Sequence, residues 1–184
     1  TVTVFRHPID RLASQVVYSL FIKHSTTGFG MARGAHRAYF SGHDKNTCRN
    51  AEPCRYLHMA RFPGVKSCYT KMLNGRMCME DLNITEEMVQ TAIRRVDELL
   101  FVGILEHFNA TVRLFHRQFG GMAYPEEFSV LRSRIHPKRS QVVKWTLREE
   151  RDEPDERVYA AALARFEREA RAEDARCVVA PPPP

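Results

Sequence analysis

The chain has 184 residues, enough to bury a single hydrophobic core. Its formal net charge of +6 is compatible with nucleic acid, an anionic membrane, an acidic polysaccharide or an anionic nucleotide as a partner. No run of consecutive basic residues suggests a nucleic-acid arm, and no stretch approaches the roughly 18 apolar residues of a membrane span. We therefore expect no nucleic-acid partner and no membrane-spanning helix within these residues.

The first twenty residues combine a β-branched run with an amphipathic pattern. Thr1 to Phe5 predict a buried strand, and Pro8 follows where the first turn of a helix tolerates proline. The apolar residues after it recur at helical spacing and form one face: Ile9, Leu12, Ala13, Val16, Val17, Leu20 and Phe21. Arg6 is thus predicted at the carboxyl end of a strand and Ser14 about two turns into the next helix.

Arg6 and Ser14 are residue types that suit a phosphate at that place. In open α/β sheets ligands bind at the carboxyl ends of strands, where helix N-termini favour anions. An arginine offers a planar fork that matches phosphate oxygens, and a serine adds a hydroxyl donor. The alternative is an arginine that ends a strand and a serine that lies inside an amphipathic helix without binding anything.

The order Arg6-x-Pro8-x-x-Arg11-x-x-Ser14 after a strand resembles the 3′-phosphate-binding motif of sulfotransferases. These enzymes use 3′-phosphoadenosine 5′-phosphosulfate (PAPS) as sulfuryl donor. Leu99 to Phe115 resembles the family's later strand-then-helix unit, and Asp155 to Phe166 resembles its closing helix. The three matches follow the family's order over roughly residues 1 to 170, and Golgi carbohydrate sulfotransferases of the heparan sulfate 2-O type look closest.

The resemblance implies a three-layer, P-loop-like α/β fold with a parallel sheet. Residues 1–173 would be the C-terminal portion of that domain, and residues 174–184 a disordered Pro-rich tail. The implied activity is transfer of a sulfuryl group from PAPS to a hydroxyl of a carbohydrate acceptor. The implied 3′-phosphate ligands are Arg6 and Ser14. A late basic loop would add further phosphate donors from Arg134, Lys138, Arg139 and Ser140. The alternative is that this segment is a solvated surface loop that binds nothing.

The family's Gly-rich loop, which wraps the 5′-phosphosulfate and usually carries a lysine, has no counterpart in this sequence. The nearest segment, residues 26–34, lacks the lysine and is expected to be a flexible loop. Because the chain opens inside a strand, we interpret it as a fragment that is inactive alone. The Gly-rich loop, the general base and any membrane anchor are expected before residue 1, so the catalytic residues remain unknown.

Cysteines and glycosylation sequons bear on the compartment. Four of the five cysteines cluster in the sequence, at spacings that do not match the C-x₂₋₄-C pairs of zinc sites: Cys48, Cys54, Cys68 and Cys78. We therefore predict no metal and at least one disulfide among them, with free thiols as the alternative. Asn83 and Asn109 each begin an N-glycosylation sequon, and a Golgi lumenal location would account for both features.

Among the other polar candidates, His7 stands where the family usually has Asp or Glu. Four histidines fall in an irregular region, where we expect ordinary surface or partly buried side chains: His24, His36, His43 and His58. Glu106 ends the second predicted strand, and we expect it to cap the next helix instead of facing the crevice.

The remaining pattern predicts the other elements in chain order. It gives an irregular segment at 24–68, a short helix or turn at 67–78, a helix at 85–99, a strand at 100–105, a helix at 107–119, a basic stretch without clean periodicity at 129–152 and a helix at 155–173. The two strands should lie close together and parallel, because each is followed by an amphipathic helix.

Two other functions fit the same residues. One is a non-catalytic basic α/β module that binds anionic polysaccharide, nucleotide or nucleic acid, in which Arg6 and Ser14 are incidental. The other is a degenerate nucleotide-binding relative that keeps the fold without the chemistry. A strand, Gly-rich loop, lysine and helix upstream of Thr1 would favour the enzyme.

Overall fold

The computed structural model describes residues 1–21, 52–128 and 137–179, which form a mixed α/β structure that is mostly helical. In chain order the elements are strand β1 (Val2–Phe5), helices α1 (Pro8–Phe21), α2 (Glu52–Ala60), α3 (Cys68–Leu73) and α4 (Glu86–Glu98), strand β2 (Phe101–Ile104), a 3₁₀ turn (Leu105–His107), helix α5 (Phe108–Phe119), a second 3₁₀ turn (Pro125–Phe128), and helices α6 (Pro137–Thr146) and α7 (Glu153–Val179).

The two strands pair in parallel, as the sequence predicts. Val2 lies opposite Phe101 and Phe5 opposite Ile104, so both strands end at the same edge. All four residues of β2 are buried, whereas Val2 and Val4 of β1 are about half exposed, at 48% each. Within the described residues the sheet has these two strands, so the larger three-layer arrangement remains a prediction.

Two hydrophobic clusters hold the helices in place. The first surrounds the sheet with residues of α4, α5 and α7, including Phe5, Phe101, Val96, Val158 and Phe166. The second packs the apolar face of α1 against α2 and α6, and includes Leu12, Val16, Tyr56, Met59 and Leu147. The amphipathic pattern of α1 therefore has the buried face that its spacing predicts.

Local signals explain where several elements begin. The Thr85 hydroxyl accepts the Met88 amide at 3.3 Å and caps α4, whose first turn carries two glutamates as the helix dipole favours. Pro8 and Pro137 stand at the first positions of α1 and α6, where the missing amide hydrogen costs nothing.

Three expectations about regular structure need correction. Residues 52–60 and 137–146 are helical, although the sequence pattern predicts irregular structure there. Helix α7 continues to Val179, so residues 174–179 are helical where a disordered tail is predicted, and residues 180–184 lie outside the described part. The ion pairs Arg165–Glu169 and Arg171–Glu167, each one turn apart, stabilise the preceding part of α7.

Two buried aspartates connect α7 to α3. Asp152 accepts hydrogen bonds from the Ser67 amide and hydroxyl, at 3.0 and 3.2 Å. Asp155 accepts the Tyr69 and Thr70 amides at 3.0 and 2.9 Å. The Arg11 guanidinium lies 3.1 and 3.4 Å from the two carboxylates and offsets their charge. Burial and the charge of Asp152 raise the pKa of Asp155, and Arg11 opposes that rise.

Cys68 and Cys78 form a disulfide around α3, with Cα atoms 4.6 Å apart. Cys54 is also disulfide-bonded. The expectation of at least one bridge among the four clustered cysteines is thereby confirmed. No described helix combines the length and the apolar character that a membrane span requires.

The aspartate cluster yields a stability prediction. We expect Asp155→Ala to lower the free energy of unfolding by about 3–5 kcal/mol, because Arg11 and two amides lose a buried charged partner. Chemical denaturation measures the loss. The matched control is Glu153→Ala on the same helical turn, where an exposed carboxylate should contribute less than about 1 kcal/mol. Equal losses in the two variants would contradict the structural role of the cluster.

Candidate functional site

The carboxyl ends of β1 and β2 lie at one edge of the sheet, and helix α1 begins just beyond them; we refer to this strand-end region as the crevice. Phe5 and Ile104 are the last paired residues, so Arg6 and Leu105 leave the sheet side by side. Helix α1 begins two residues later, at Pro8. This is the strand-end and helix-start geometry at which open parallel sheets bind anions.

Arg6 has a guanidinium that is free of protein partners in the described part of the chain. The residue is half-buried, and its side chain forms no hydrogen bond or ion pair with residues 1–21, 52–128 or 137–179. Ser14 is exposed on α1, and its hydroxyl likewise has no partner within those ranges. It stands six residues beyond Pro8, or about 9 Å along the helix axis. Neither side chain is therefore engaged by a described residue.

Arg11, the second arginine of the same motif, has a different role. Its guanidinium donates to the Val65 carbonyl at 2.9 Å and pairs with the two buried aspartates. It also lies 5.4 Å from the centre of the Tyr69 ring. Arg11 thus holds α1 to α7 and is not available for a phosphate.

Glu106 bridges the two strand ends to α7. Its carboxylate accepts the His7 amide at 2.9 Å and the Tyr159 hydroxyl at 3.1 Å. The expectation that Glu106 caps the next helix is therefore wrong, and α5 begins without a side-chain cap. The His7 amide, which has no ladder partner beyond the strand, attracts the carboxylate instead. The His7 ring packs edge-on against Tyr159, with centroids 5.4 Å apart.

Tyr69 contacts the same strand end from α3. Its hydroxyl accepts the Arg6 amide at 3.0 Å and donates to the Arg6 carbonyl at 2.9 Å. The ring packs edge-on against Phe5, with centroids 5.1 Å apart. Sequence reasoning missed both Tyr69 and Tyr159, because each reaches the crevice from a distant part of the chain and carries no local signal of that contact.

A cleft of about 310 Å³ opens beside the crevice. One wall is the start of α1, and the other is the segment between α6 and α7 together with the first turns of α7. Its lining is His7, Pro8, Ile9, Arg148, Glu150, Arg151, Glu156 and Tyr159. Arg151 pairs with Glu156, and Arg148 lies over the ring of Trp145, 4.2 Å from its centre. The cleft therefore combines apolar surface with arginines that already have neighbours.

The predicted late basic loop is only partly described. Arg134 lies outside the described residues. Lys138, Arg139 and Ser140 stand in the first turn of α6, so this part is helical where a loop is predicted. Of the histidines in the irregular region, His58 lies on α2, and the other three fall outside the described residues. No group of three or more potential metal ligands is found in the part of the chain that the structure describes.

Glu106 also gives a prediction about pH. Burial, followed by the negative charge of Glu106, raises the pKa of Tyr159. A raised tyrosine pKa stabilises the fold below the ordinary value of about 10, and this stabilisation is lost as the pH rises through the folded-state value. We expect Glu106→Gln to lower the pKa of Tyr159 and to reduce the alkaline loss of stability. NMR titration of the tyrosine rings and denaturation at alkaline pH measure both effects.

Tyr159→Phe is the control, because it removes the titrating group and should abolish this part of the alkaline loss. An unchanged Tyr159 titration in Glu106→Gln would show that the carboxylate does not act on the hydroxyl in solution.

Comparison with family models, curated proteins and solved structures finds no significant match to this chain.

Proposed function

We propose that this chain is the 3′-phosphate-binding portion of a PAPS-dependent sulfotransferase that acts on a carbohydrate hydroxyl. The observation that carries the proposal is the guanidinium of Arg6, which no described residue pairs with, at the carboxyl end of two adjacent parallel strands. A half-buried arginine at such a place, without a partner among residues 1–21, 52–128 and 137–179, suits an anionic ligand. The motif around it is the one that resembles the 3′-phosphate-binding motif of the family.

The proposed chemistry divides the work between two ends of the donor. Sulfuryl transfer, like phosphoryl transfer, depends mainly on alignment of donor and acceptor and on stabilisation of charge at the transferred group. Arg6 and Ser14 would hold the far end of the donor, at the 3′-phosphate, and would contribute binding and donor discrimination. The general base and the loop around the 5′-phosphosulfate would come from sequence before Thr1.

The sheet supports a larger fold of the three-layer type. Parallel sheets are usually covered on both faces, and isolated two-stranded sheets are marginal. The half-exposed Val2 and Val4 side chains on β1 are consistent with further structure against this strand. In the proposed domain Arg134, Lys138, Arg139 and Ser140 would close over the nucleotide, the last three from the start of α6.

We also propose a Golgi lumenal location, with any membrane anchor outside this chain. The disulfide between Cys68 and Cys78 supports an oxidising compartment. Both sequon asparagines, Asn83 and Asn109, are exposed and thus accessible to a glycan.

The donor site is tested by nucleotide binding to the intact protein. We expect Arg6→Ala to weaken binding of 3′-phosphoadenosine 5′-phosphate more than about tenfold, because a charge-assisted contact contributes about 1.5–3 kcal/mol. Ser14→Ala should cost less, because water replaces a neutral donor. Adenosine 5′-phosphate, which lacks the 3′-phosphate, should bind almost equally to all three proteins. Isothermal titration calorimetry measures each affinity.

Arg168→Ala is the matched control, because this exposed arginine on α7 lies 3.6 Å from Asp97, away from the strand ends. It should leave both affinities unchanged. Equal weakening of the two nucleotides by Arg6→Ala would make Arg6 structural and would favour a different ligand for the crevice. Loss of neither affinity would favour the non-catalytic binding module.

A further inference from the structure

The backbone of Arg6 is held by a side chain and not by the sheet. Strand pairing ends at Phe5 and Ile104, so Arg6 has no ladder partner on β2. The Tyr69 hydroxyl takes that place, because it accepts the Arg6 amide and donates to the Arg6 carbonyl. Two hydrogen bonds to the same residue restrict its backbone torsions, and these torsions set the direction in which the Arg6 side chain leaves the backbone.

Tyr69 is itself held by contacts of its amide and its ring, and by the disulfide of its neighbour. Its amide donates to the buried Asp155 carboxylate at 3.0 Å. Its ring lies edge-on to Phe5 and close to the Arg11 guanidinium. The preceding residue, Cys68, is tied to Cys78 by the disulfide. The hydroxyl therefore reaches Arg6 from a rigid position.

Burial of the Tyr69 ring raises the pKa of its hydroxyl, so the hydroxyl remains protonated at neutral pH. A protonated hydroxyl donates and accepts at the same time, which is what the two bonds to Arg6 require. The contact is thus stable over the whole physiological range of pH.

We propose that Tyr69 is a positioning residue whose hydroxyl directs the Arg6 guanidinium toward the 3′-phosphate of the nucleotide. This inference rests on the proposed function. No described residue forms an ion pair with Arg6, so among the described residues it is the Tyr69 hydroxyl, through the Arg6 backbone, that sets where this side chain starts. A small rotation there displaces the guanidinium by more than hydrogen bonding tolerates.

The ring and the hydroxyl of Tyr69 have separable roles. The ring packs on Phe5 and near Arg11, which stabilises the fold, whereas both hydroxyl bonds go to Arg6. Tyr69→Phe keeps the packing and removes only the hydroxyl. A merely structural effect of this change would act equally on every nucleotide that the crevice binds.

The experiment is a double-mutant cycle in the intact protein, with Tyr69→Phe, Arg6→Ala and both together. We expect Tyr69→Phe to weaken 3′-phosphoadenosine 5′-phosphate about three- to tenfold and to leave adenosine 5′-phosphate unchanged. Added to Arg6→Ala, it should cause no further loss, because the side chain that it directs is absent. Tyr159→Phe is the matched control, because its hydroxyl contacts Glu106 instead of Arg6, and it should show no such selectivity.

The outcomes separate this inference from the proposed function. A selective loss in Arg6→Ala together with an equal loss of both nucleotides in Tyr69→Phe, or with additive losses, overturns the positioning role alone. An unselective Arg6→Ala overturns the proposed function and this inference with it. Hydrogen exchange of the Arg6 amide in the wild-type protein needs no folded variant. We expect a protected amide, and free exchange would show that Tyr69 does not hold Arg6.

Discussion

The fold depends on the pairing of Arg11 with the buried carboxylates of Asp152 and Asp155. Each carboxylate is almost fully shielded from water, and together they accept the amides that begin α3. Because two charges of one sign meet a single guanidinium, the amide and hydroxyl donors of α3 must supply the remaining stabilisation. Helices α1, α3 and α7 are therefore fixed to one another by one polar cluster between two hydrophobic ones.

This cluster also explains how the candidate site is held. Asp155 fixes Tyr69 through its amide, and Tyr69 fixes the backbone of Arg6 through its hydroxyl. Glu106 acts in the same way on His7 from β2. At the strand end, where β2 no longer provides backbone hydrogen bonds, Tyr69 and Glu106 thus bond the backbone of Arg6 and His7 with their side chains. Such support keeps the backbone around Arg6 ordered although no described residue pairs with its side chain.

The sequence predicts the elements that carry strong local signals. The β-branched run before Arg6, the proline that opens α1 and the threonine cap of α4 act over a few residues, and the structure places each element accordingly. Tyr69 and Glu106 are different, because their partners lie 63 and 99 residues away. Periodicity and spacing report which face of an element is apolar, but they do not report which polar atom across the fold lacks a partner. Helix α6 does not follow from the sequence pattern, because its apolar residues, Val142, Val143 and Trp145, all lie within about one turn and do not recur along the helix.

The two arginines of the motif show why spacing alone does not assign a ligand. Arg6 and Arg11 have the same chemistry, lie five positions apart and are both half-buried, yet their described partners differ. If Arg11 turned toward a phosphate, the two buried carboxylates would lose their paired cation. The free energy lost would exceed what one charge-assisted contact with the phosphate contributes. Within the described residues Arg6 has no such role, because the Tyr69 hydroxyl bonds its backbone amide and carbonyl and no described carboxylate pairs with its side chain. Of the two arginines, the one inside the helix therefore keeps the framework together, and the side chain of the one that leaves the sheet has no part in it among the described residues.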